Sequence, residues 1–397
     1  MNLDEQLQPA LEQRRQQHLY RQRRCLQSAQ QPRLKIDGQV CLSFTSNDYL
    51  GLANHPQLIA AVQQASRDYG VGSGAAHLVN GHSVLHQQLE TQLASHTGHQ
   101  RALLFGSGYM ANLGVISALM NRQDAVFEDR LNHASLLDGG LLSGARLQRY
   151  HHNDAADLQR RLTGCPARRR LVVCDGVFSM DGDVAPLKQL AAICKAQHAW
   201  LMVDDAHGFG VLGPQGRGTV VQQGLTTSDC PVYMATLGKA LGVYGAFVAG
   251  SKTLIETLIQ QARTYIYTTA IPPSMAAAAL ASLRLLHHEG WRHARLQQLI
   301  HTFKTGAAQL GLPLLPSDTP IQPLLVGCAR VAVSLSQALQ RQGILVTAIR
   351  PPTVPPGSAR LRISLSAAHT PTQVGQLLTA LETLQRQGLL TGGDAPQ

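Results

Sequence analysis

The sequence predicts an α/β protein with a mostly parallel central sheet, helices on both faces of it, and a smaller α+β domain at the C-terminal end. From about residue 45 to 270, short apolar runs alternate with longer amphipathic stretches, which is typical of strands joined by helices in a parallel sheet. A chain of 397 residues has room for two or three domains. The predicted domains are an N-terminal helix with short strands (1–45), a large α/β domain (46–285) and a small C-terminal α+β domain (286–390).

The elements are predicted in order from hydrophobic periodicity. Apolar residues at helical spacing predict one amphipathic helix from residue 3 to about 30. The predicted strands of the large domain are RALLF (101–105), DAVFED (124–129), RLVVCDG (170–176), WLMVDDA (200–206), VYMATLG (232–238) and GAFVAGS (245–251). The predicted helices include HSVLHQQLETQLASH, which precedes RALLF, and YMANLGVISALM and LKQLAAICKAQHA, which lie between later strands. A long helical stretch from Ser274 to about Leu310 leads to the small domain, which has strands IQPLLVG, ILVTAIR and ARLRISLS and two helices. The tail TGGDAPQ is predicted to be disordered.

Composition and charge restrict the class of protein. Lys and Arg number 34 against 24 Asp and Glu, and the resulting net charge of +10 favours anionic partners such as nucleic acid, a phosphate-rich cofactor, coenzyme A or an acidic carrier protein. Seven cysteines without a CxxC pair argue against a disulfide framework and a zinc ribbon. The polar N-terminus is unlike a signal peptide, and no run of 18 uncharged apolar residues occurs. We therefore expect a soluble cytoplasmic protein without a membrane partner.

Two clusters of residues follow predicted strands and suit a phosphorylated ring. The segment Gly106–Tyr109 begins a helix after RALLF, and its small residues let a phosphate approach free N–H groups, although an ordinary turn has the same composition. In VDDAHGFG, Asp204 and Asp205 point to opposite faces of a strand, so one carboxylate can lie beneath a pyridine ring alone. His207 can then donate a hydrogen bond to a phenolic oxygen of that ring. A metal-binding or helix-capping aspartate is the alternative.

The third cluster is ATLGKALGVYG, in which Lys239 follows an apolar strand. A lysine in an apolar, glycine-bounded turn is poorly solvated, and burial lowers a lysine pKa. The neutral amine can form a Schiff base with an aldehyde, and Thr236 can bind the phosphate. A surface lysine is the alternative for this segment alone. A phosphate cup, an Asp with a nearby His, and a Lys about 35 residues later occur in the order expected of a fold-type I pyridoxal-phosphate (PLP) enzyme.

Longer segments resemble the α-oxoamine synthase family of these PLP enzymes, over about residues 10 to 385. The matching segments are SNDYLGL (46–52), RLNHASLLDG (130–139), GVFSMDGD (176–183), VDDAHG (203–208), TLGKALG (236–242), IYTTAIPP (266–273) and TAIRPPTVPPGSARLRISLSAAH (347–369). Within that family, AIRPPTVPPG is characteristic of the biotin-synthesis branch.

The resemblance implies a PLP-dependent C-acyltransferase. It would condense L-alanine with pimeloyl-CoA or pimeloyl-acyl-carrier protein, release carbon dioxide and form 8-amino-7-oxononanoate. The family expectation is a homodimer with shared active sites, in which Thr268 and Thr269 reach the phosphate of the neighbouring subunit. The nearest alternatives are glycine C-acetyltransferase and a related enzyme using glycine with succinyl-CoA. A nucleic-acid-binding protein and a noncatalytic PLP-binding regulator are alternatives of other classes.

The resemblance also implies roles for individual residues. The implied catalytic residues are Lys239, His133 and Asp204. The implied cofactor-binding residues are Gly108, Tyr109, His133, Ser179, Asp204, His207, Thr236 and Lys239. The implied substrate-binding residues are Arg21, Asn47, His133, Thr353 and Arg362, and the guanidinium of Arg362 suits the amino-acid carboxylate.

Two further features qualify these assignments. Ala75 and Ala76 stand where relatives usually carry Gly and a small hydroxyl residue, which bears on amino-acid selection. His82 and His86 lie one helical turn apart but have no acidic residue between them, unlike HExxH, so no metal site is expected. The pairs His151–His152 and His287–His288 are interpreted in the same way.

Overall fold

The computed structural model describes residues 2–390, and the tail TGGDAPQ predicted to be disordered lies outside the described residues. The chain divides into two compact units. The larger unit holds residues 50–179 and 183–293. The smaller unit holds the residues up to 49, the short segment 180–182 and the residues from 294 onwards.

The N-terminal elements belong to the smaller unit. They are α1 (Leu3–Gln16), β1 (Arg33–Ile36) and β2 (Gln39–Ser43). Because α1 ends at Gln16, the predicted continuation of this helix to about residue 30 is wrong. No residue of α1 is buried, so no packing supports a longer helix, and His18 has φ of 56°, a left-handed conformation that a right-handed helix does not contain.

The larger unit contains a seven-stranded sheet. Its strands are β3 (Arg101–Phe105), β4 (Ala125–Asp129), β5 (Arg146–Tyr150), β6 (Arg170–Asp175), β7 (Trp200–Asp204), β8 (Val232–Thr236) and β9 (Ala246–Gly250). Their order is β3-β9-β8-β7-β6-β4-β5, and only β9 runs antiparallel to its neighbours. The predicted mostly parallel sheet is therefore confirmed. The sequence did not predict β5, because this edge strand reads RLQRY and has no apolar run.

Helices cover this sheet. They are α2 (Pro56–Tyr69), α3 (Val84–Thr97), α4 (Gly108–Leu119), α5 (Ala134–Ser143), α6 (Ala155–Leu162), α7 (Leu187–Ala196), α8 (Thr219–Gln222), α9 (Lys252–Gln261), α10 (Arg263–Ile266) and α11 (Pro273–His288). A π-helix spans His77–Gly81 and a 3₁₀ turn spans Pro214–Gly216. Strands β4 and β9 are buried at every residue, which is expected of strands covered on both faces.

The C-terminal elements begin with α12 (Trp291–Gln309), which Glu289 and Gly290 separate from α11. The remaining elements are β10 (Ile321–Gly327), α13 (Ala329–Arg341), β11 (Ile344–Leu345), β12 (Thr347–Ile349), β13 (Ala359–Ser364) and α14 (Pro371–Arg386). The predicted strand ILVTAIR is divided at Val346. Its first part joins the sheet β1-β2-β11, and its second part joins the antiparallel sheet β10-β13-β12. The N-terminal hairpin thus shares a sheet with a strand from near the C-terminus. Among the described residues, no helix combines the length and the apolar character needed to cross a membrane.

Candidate active site

The candidate site of the larger unit lies where neighbouring parallel strands end. Asp175 is the last residue of β6, Asp204 the last of β7 and Thr236 the last of β8. The strand register pairs Asp175 with Asp204, and Asp204 with Met234. Carboxyl ends of parallel strands form the ligand-binding edge of such sheets, so three polar side chains converge there.

Asp204 is buried and held by two donors. The side-chain amide of Asn112 donates to Oδ2 at 2.7 Å, and the backbone N–H of Ala206 donates to Oδ1 at 3.0 Å. The same Asn112 Nδ2 also donates to Ser135 Oγ at 2.8 Å. Asn112 is fully buried in α4, and the sequence analysis missed it. A lone amide in the otherwise apolar helix YMANLGVISALM is the feature that could have identified it.

Asp205 points away from Asp204, as the alternation of a strand requires. It accepts hydrogen bonds from the backbone N–H and the hydroxyl of Thr219 and from the hydroxyl of Tyr233, each at 2.8 Å. Burial nevertheless raises the pKa of Asp205 to about 7. This carboxylate is occupied within the fold, which leaves Asp204 as the member of the pair available to a ligand.

Asp175 is a buried neighbour of Asp204 that the sequence analysis did not assign. One oxygen accepts the backbone N–H of His133 at 2.7 Å, and its own N–H donates to Asn132 Oδ1 at 3.1 Å. Burial and the adjacent Asp204 carboxylate raise the pKa of Asp175 well above its ordinary value. A neutral Asp175 would remove one like charge from beside Asp204.

His133 caps the N-terminus of α5 next to these carboxyl groups. Its Nδ1 lies 2.7 Å from Ser135 Oγ, and its ring meets the ring of Tyr109 edge-on with centroids 6.4 Å apart. Burial lowers the pKa of His133. The nearby charge of Asp204 raises this pKa, and that of Lys239 lowers it. A neutral imidazole in this position suits stacking on a flat ring.

Lys239 lies in the turn between β8 and β9, and its side chain is half-buried. Its Nζ is 2.9 Å from His207 Nε2, which brings together two residues predicted from separate motifs. Thr236, at the start of the same turn, donates to Gly245 O at 3.0 Å and accepts from Gly238 N at 3.2 Å. The larger unit therefore places Lys239, His207, His133 and Asp204 at one edge of the sheet.

The predicted phosphate segment begins α4. Ser107 caps this helix by accepting the N–H of Met110 at 3.2 Å, and Gly108 is the first helical residue. Tyr109 is 43% exposed, and its hydroxyl is hydrogen-bonded to Asp138. Ser179 is half-buried in the turn that follows β6.

The predicted substrate residues lie in the smaller unit, where they form two groups. The buried guanidinium of Arg362 donates to Ser364 Oγ at 2.8 Å, to Asn47 Oδ1 at 3.1 Å and to the hydroxyl of Tyr49 at 3.4 Å. In the second group, Arg21 donates to Thr353 Oγ1 at 3.1 Å. Tyr49 is fully buried, and burial raises its pKa. Tyr49 was not among the predicted site residues, although it lies within the SNDYLGL motif.

Three histidines of the larger unit also cluster. The structure adds His77 to the i,i+4 pair of His82 and His86, with one nitrogen of each within 4.8 Å of the others. His86 uses both nitrogens within the fold, because Nδ1 accepts from Ser83 N at 2.9 Å and Nε2 lies 2.7 Å from Ile271 O. The cluster is therefore interpreted as a structural contact.

Comparison with known proteins agrees with this geometry. The class I and II aminotransferase family model matches residues 39–381. The 8-amino-7-oxononanoate synthase of Cellvibrio japonicus is 62% identical over 98% of both chains. That of Nitrosococcus oceani is 64% identical over 94% of this chain and 98% of its own.

Among solved structures, serine palmitoyltransferase from S. paucimobilis with a bound PLP–myriocin aldimine superposes with a TM-score of 0.92. It is 30% identical and covers 98% of this chain and 99% of its own. The resemblance inferred from the motifs is thus confirmed. The chain belongs to the class I and II aminotransferase family and, within it, to the family of 8-amino-7-oxononanoate synthases.

Proposed function

We propose that this chain catalyses the PLP-dependent decarboxylative condensation of L-alanine with a pimeloyl thioester, a cytoplasmic step of biotin biosynthesis. Relatives at 62–64% identity over nearly their full lengths are named 8-amino-7-oxononanoate synthase. This favours the assignment over glycine C-acetyltransferase. The observation that carries the proposal is the convergence of Lys239, His207, His133 and Asp204 at the carboxyl edge of one sheet.

The chemistry of these side chains fits PLP. When bound, PLP supplies an aldehyde for an amine and a protonated ring that withdraws electrons from the substrate. Lys239 supplies the amine, and Asp204 supplies a buried carboxylate for the ring nitrogen. Gly108 and Thr236 lie at a helix N-terminus and a strand end, where backbone N–H groups and a hydroxyl can hold a phosphate.

Proton transfer is assigned to Lys239. The 2.9 Å contact with His207 Nε2 fixes the direction of its Nζ. From that position Lys239 removes the α-proton of L-alanine and later returns a proton to the same carbon. Asn112 keeps Asp204 oriented, and His133 presents its neutral ring as a stacking surface.

Substrate recognition is assigned to the smaller unit. Arg362 binds the carboxylate of L-alanine, because a guanidinium offers two parallel donors to such a group. Its contacts with Asn47, Tyr49 and Ser364 fix the plane of that guanidinium. Arg21 and Thr353 bind the acyl substrate, and the net charge of +10 suits either coenzyme A or an acidic carrier protein as its bearer.

A homodimer is part of the proposal. Large apolar side chains are exposed between the end of α2 and the start of α3, with Val71 83% and Val79 76% accessible. The π-helix in this segment packs against α10, and Thr268 and Thr269 follow α10 in the chain. An exposed apolar segment of this kind favours a protein interface, and a second copy would cover it. Sedimentation analysis should give twice the mass of one chain.

The decisive experiment combines activity with spectroscopy. Purified protein should show the visible absorbance of bound PLP, which L-alanine changes, and should release carbon dioxide on addition of pimeloyl-CoA. Lys239→Ala should abolish both turnover and the covalently bound form of the cofactor, whereas Lys252→Ala, at an exposed position of α9, should leave both unchanged. Full turnover by Lys239→Ala would refute the proposal. Faster turnover with glycine and acetyl-CoA would instead support glycine C-acetyltransferase.

A further inference from the structure

His152, in the loop after β5, bridges two carboxylates. Its Nδ1 lies 2.9 Å from Asp129 Oδ1, and its Nε2 lies 2.8 Å from Asp183 Oδ2. A neutral imidazole carries one N–H and can donate to only one of them, whereas the imidazolium donates to both. The ring is also packed edge-on against Phe178, with centroids 4.4 Å apart and an interplanar angle of 87°.

Each of these carboxylates is next to, or within, a loop that carries a proposed cofactor residue. Asp129 Oδ1 also accepts the N–H of Leu131 at 2.8 Å, two residues before His133. The backbone carbonyl of Asp183 accepts the N–H of Phe178 at 3.0 Å, one residue before Ser179. The imidazole of His152 therefore joins the loop of His133 to the loop of Ser179.

The adjacent Asn153 reinforces the same junction. Its backbone N–H donates to Asp129 Oδ2 at 2.7 Å, and its side-chain amide donates to Asp183 Oδ2 at 2.7 Å. Asn153 has φ of 53°, a left-handed conformation that asparagine tolerates better than most residues. The turn at residues 152–153 thus directs three side-chain and backbone groups at the same two carboxylates.

We propose that His152 is a positioning residue that, as an imidazolium, ties the loops of His133 and Ser179 together before the cofactor binds. The cofactor roles of those two residues rest on the proposed function, but the tie itself does not. His152 belongs to neither the predicted site nor its neighbours in sequence.

The electrostatics of the junction agree with a charged ring. Burial acts to lower the pKa of His152, but its hydrogen bonds with Asp129 and Asp183 outweigh burial and raise the pKa to about 9. On its own loop, Asp154 caps α6 and Asp157 is paired with two arginines, so both are engaged elsewhere. Because the folded-state pKa exceeds the usual 6.5, the tie is complete below about pH 6.5 and is lost as the pH rises through about 9.

Hydrogen exchange of the cofactor-free protein tests this directly. Peptides covering 130–136 and 176–184 are followed by mass spectrometry in the wild type, in His152→Gln and in His301→Gln, a control at an exposed histidine of α12. At pH 7, His152→Gln should exchange at least about tenfold faster in both peptides, and the dissociation constant for PLP should rise by a similar factor. His301→Gln should match the wild type.

The wild type provides a second measurement that needs no variant. After correction for intrinsic exchange rates, the same peptides should lose protection between pH 8 and 10, while peptides from β8 and β9 should not. Unchanged protection of both peptides in a folded His152→Gln, or wild-type protection that is constant up to pH 10, would overturn the proposal. Because the hydrogen-exchange readouts use protein without PLP, failure of the proposed reaction would leave them unaffected.

Discussion

Replacing Asn112 with alanine tests whether the proposed catalytic carboxylate of Asp204 must be held in place. Asn112 makes no proposed contact with substrate, but its Nδ2 donates to Asp204 Oδ2 at 2.7 Å and to Ser135 Oγ at 2.8 Å. Both bonds are buried, so no water takes over the role of the amide without a change in packing. The variant leaves Asp204 with the N–H of Ala206 as its remaining described donor to Oδ1.

The magnitude follows from the kind of bond that is lost. A hydrogen bond to a charged group contributes about 1.5–3 kcal/mol, and about 1.4 kcal/mol corresponds to a factor of ten. If the orientation of Asp204 limits its pairing with the ring nitrogen, kcat/KM for Asn112→Ala should fall by about 10- to 150-fold. The dissociation constant for PLP should rise in the same direction. The neutral bond to Ser135 adds about 1 kcal/mol to the loss of folding stability.

The assay compares Asn112→Ala with Asn121→Ala, which makes the same replacement at an exposed position just after the end of α4. Steady-state release of carbon dioxide gives kcat/KM, fluorescence titration of the cofactor-free protein gives PLP affinity, and calorimetry shows whether each variant is folded. Asn121→Ala should behave as the wild type in the first two measurements. A folded Asn112→Ala with kcat/KM and PLP affinity both within twofold of the wild type would show that Asp204 needs no such support.

Three further predictions follow from individual contacts. Arg362→Lys should raise the KM for L-alanine by about 10- to 100-fold with a smaller effect on kcat, since lysine cannot reproduce a bidentate contact; an unchanged KM would exclude a carboxylate-binding role. Gly218→Ala should lower the free energy of unfolding by about 3 kcal/mol or more in calorimetry. Gly218 has φ of 97°, and an added Cβ would lie 2.0 Å from Oδ2 of the buried Asp205. Gly224→Ala should lower the free energy of unfolding by less, because its Cβ would have no atom within 4 Å. A thiol reagent should label Cys25 and Cys328 rapidly in the native protein and the five buried cysteines only after unfolding; fast labelling of more than two thiols would contradict the fold.

The sequence predicts the sheet well because buried parallel strands are short apolar runs. Every run predicted as a strand of the large domain became one, from RALLF to GAFVAGS. The edge strand β5 escaped prediction because an edge needs little apolar surface, and its residues are mostly polar. The first helix was predicted to be too long for a different reason. Its helical spacing is real, but periodicity alone does not say whether a neighbour is present to bury the apolar face.

Some residues of the candidate site could likewise be predicted from the sequence, and others could not. The positions of Lys239, His207 and Asp204 near strand ends could be predicted, because all three occur in short motifs that follow apolar runs. Tyr49 and Asn112 were not predicted, because the roles of these two buried side chains depend on partners that only the fold supplies. For Tyr49 that partner is Arg362, which lies 313 residues away in the chain.

Three aspartates near the ends of β6 and β7 show why position within a motif does not decide the role of a carboxylate. All three are buried, and burial raises the pKa of Asp175 and of Asp205. Asp205 accepts three hydrogen bonds on the opposite face of the strand from Asp204. Asp175 has its pKa raised by burial and by the neighbouring Asp204. Neither carboxyl group is therefore suited to pair with a cationic ring nitrogen. Asp204 differs because its donors are an amide side chain and one backbone N–H, which orient it without supplying a positive charge. A protonated ring nitrogen would supply that charge, so the proposed role of Asp204 suits a cationic ring better than a neutral one.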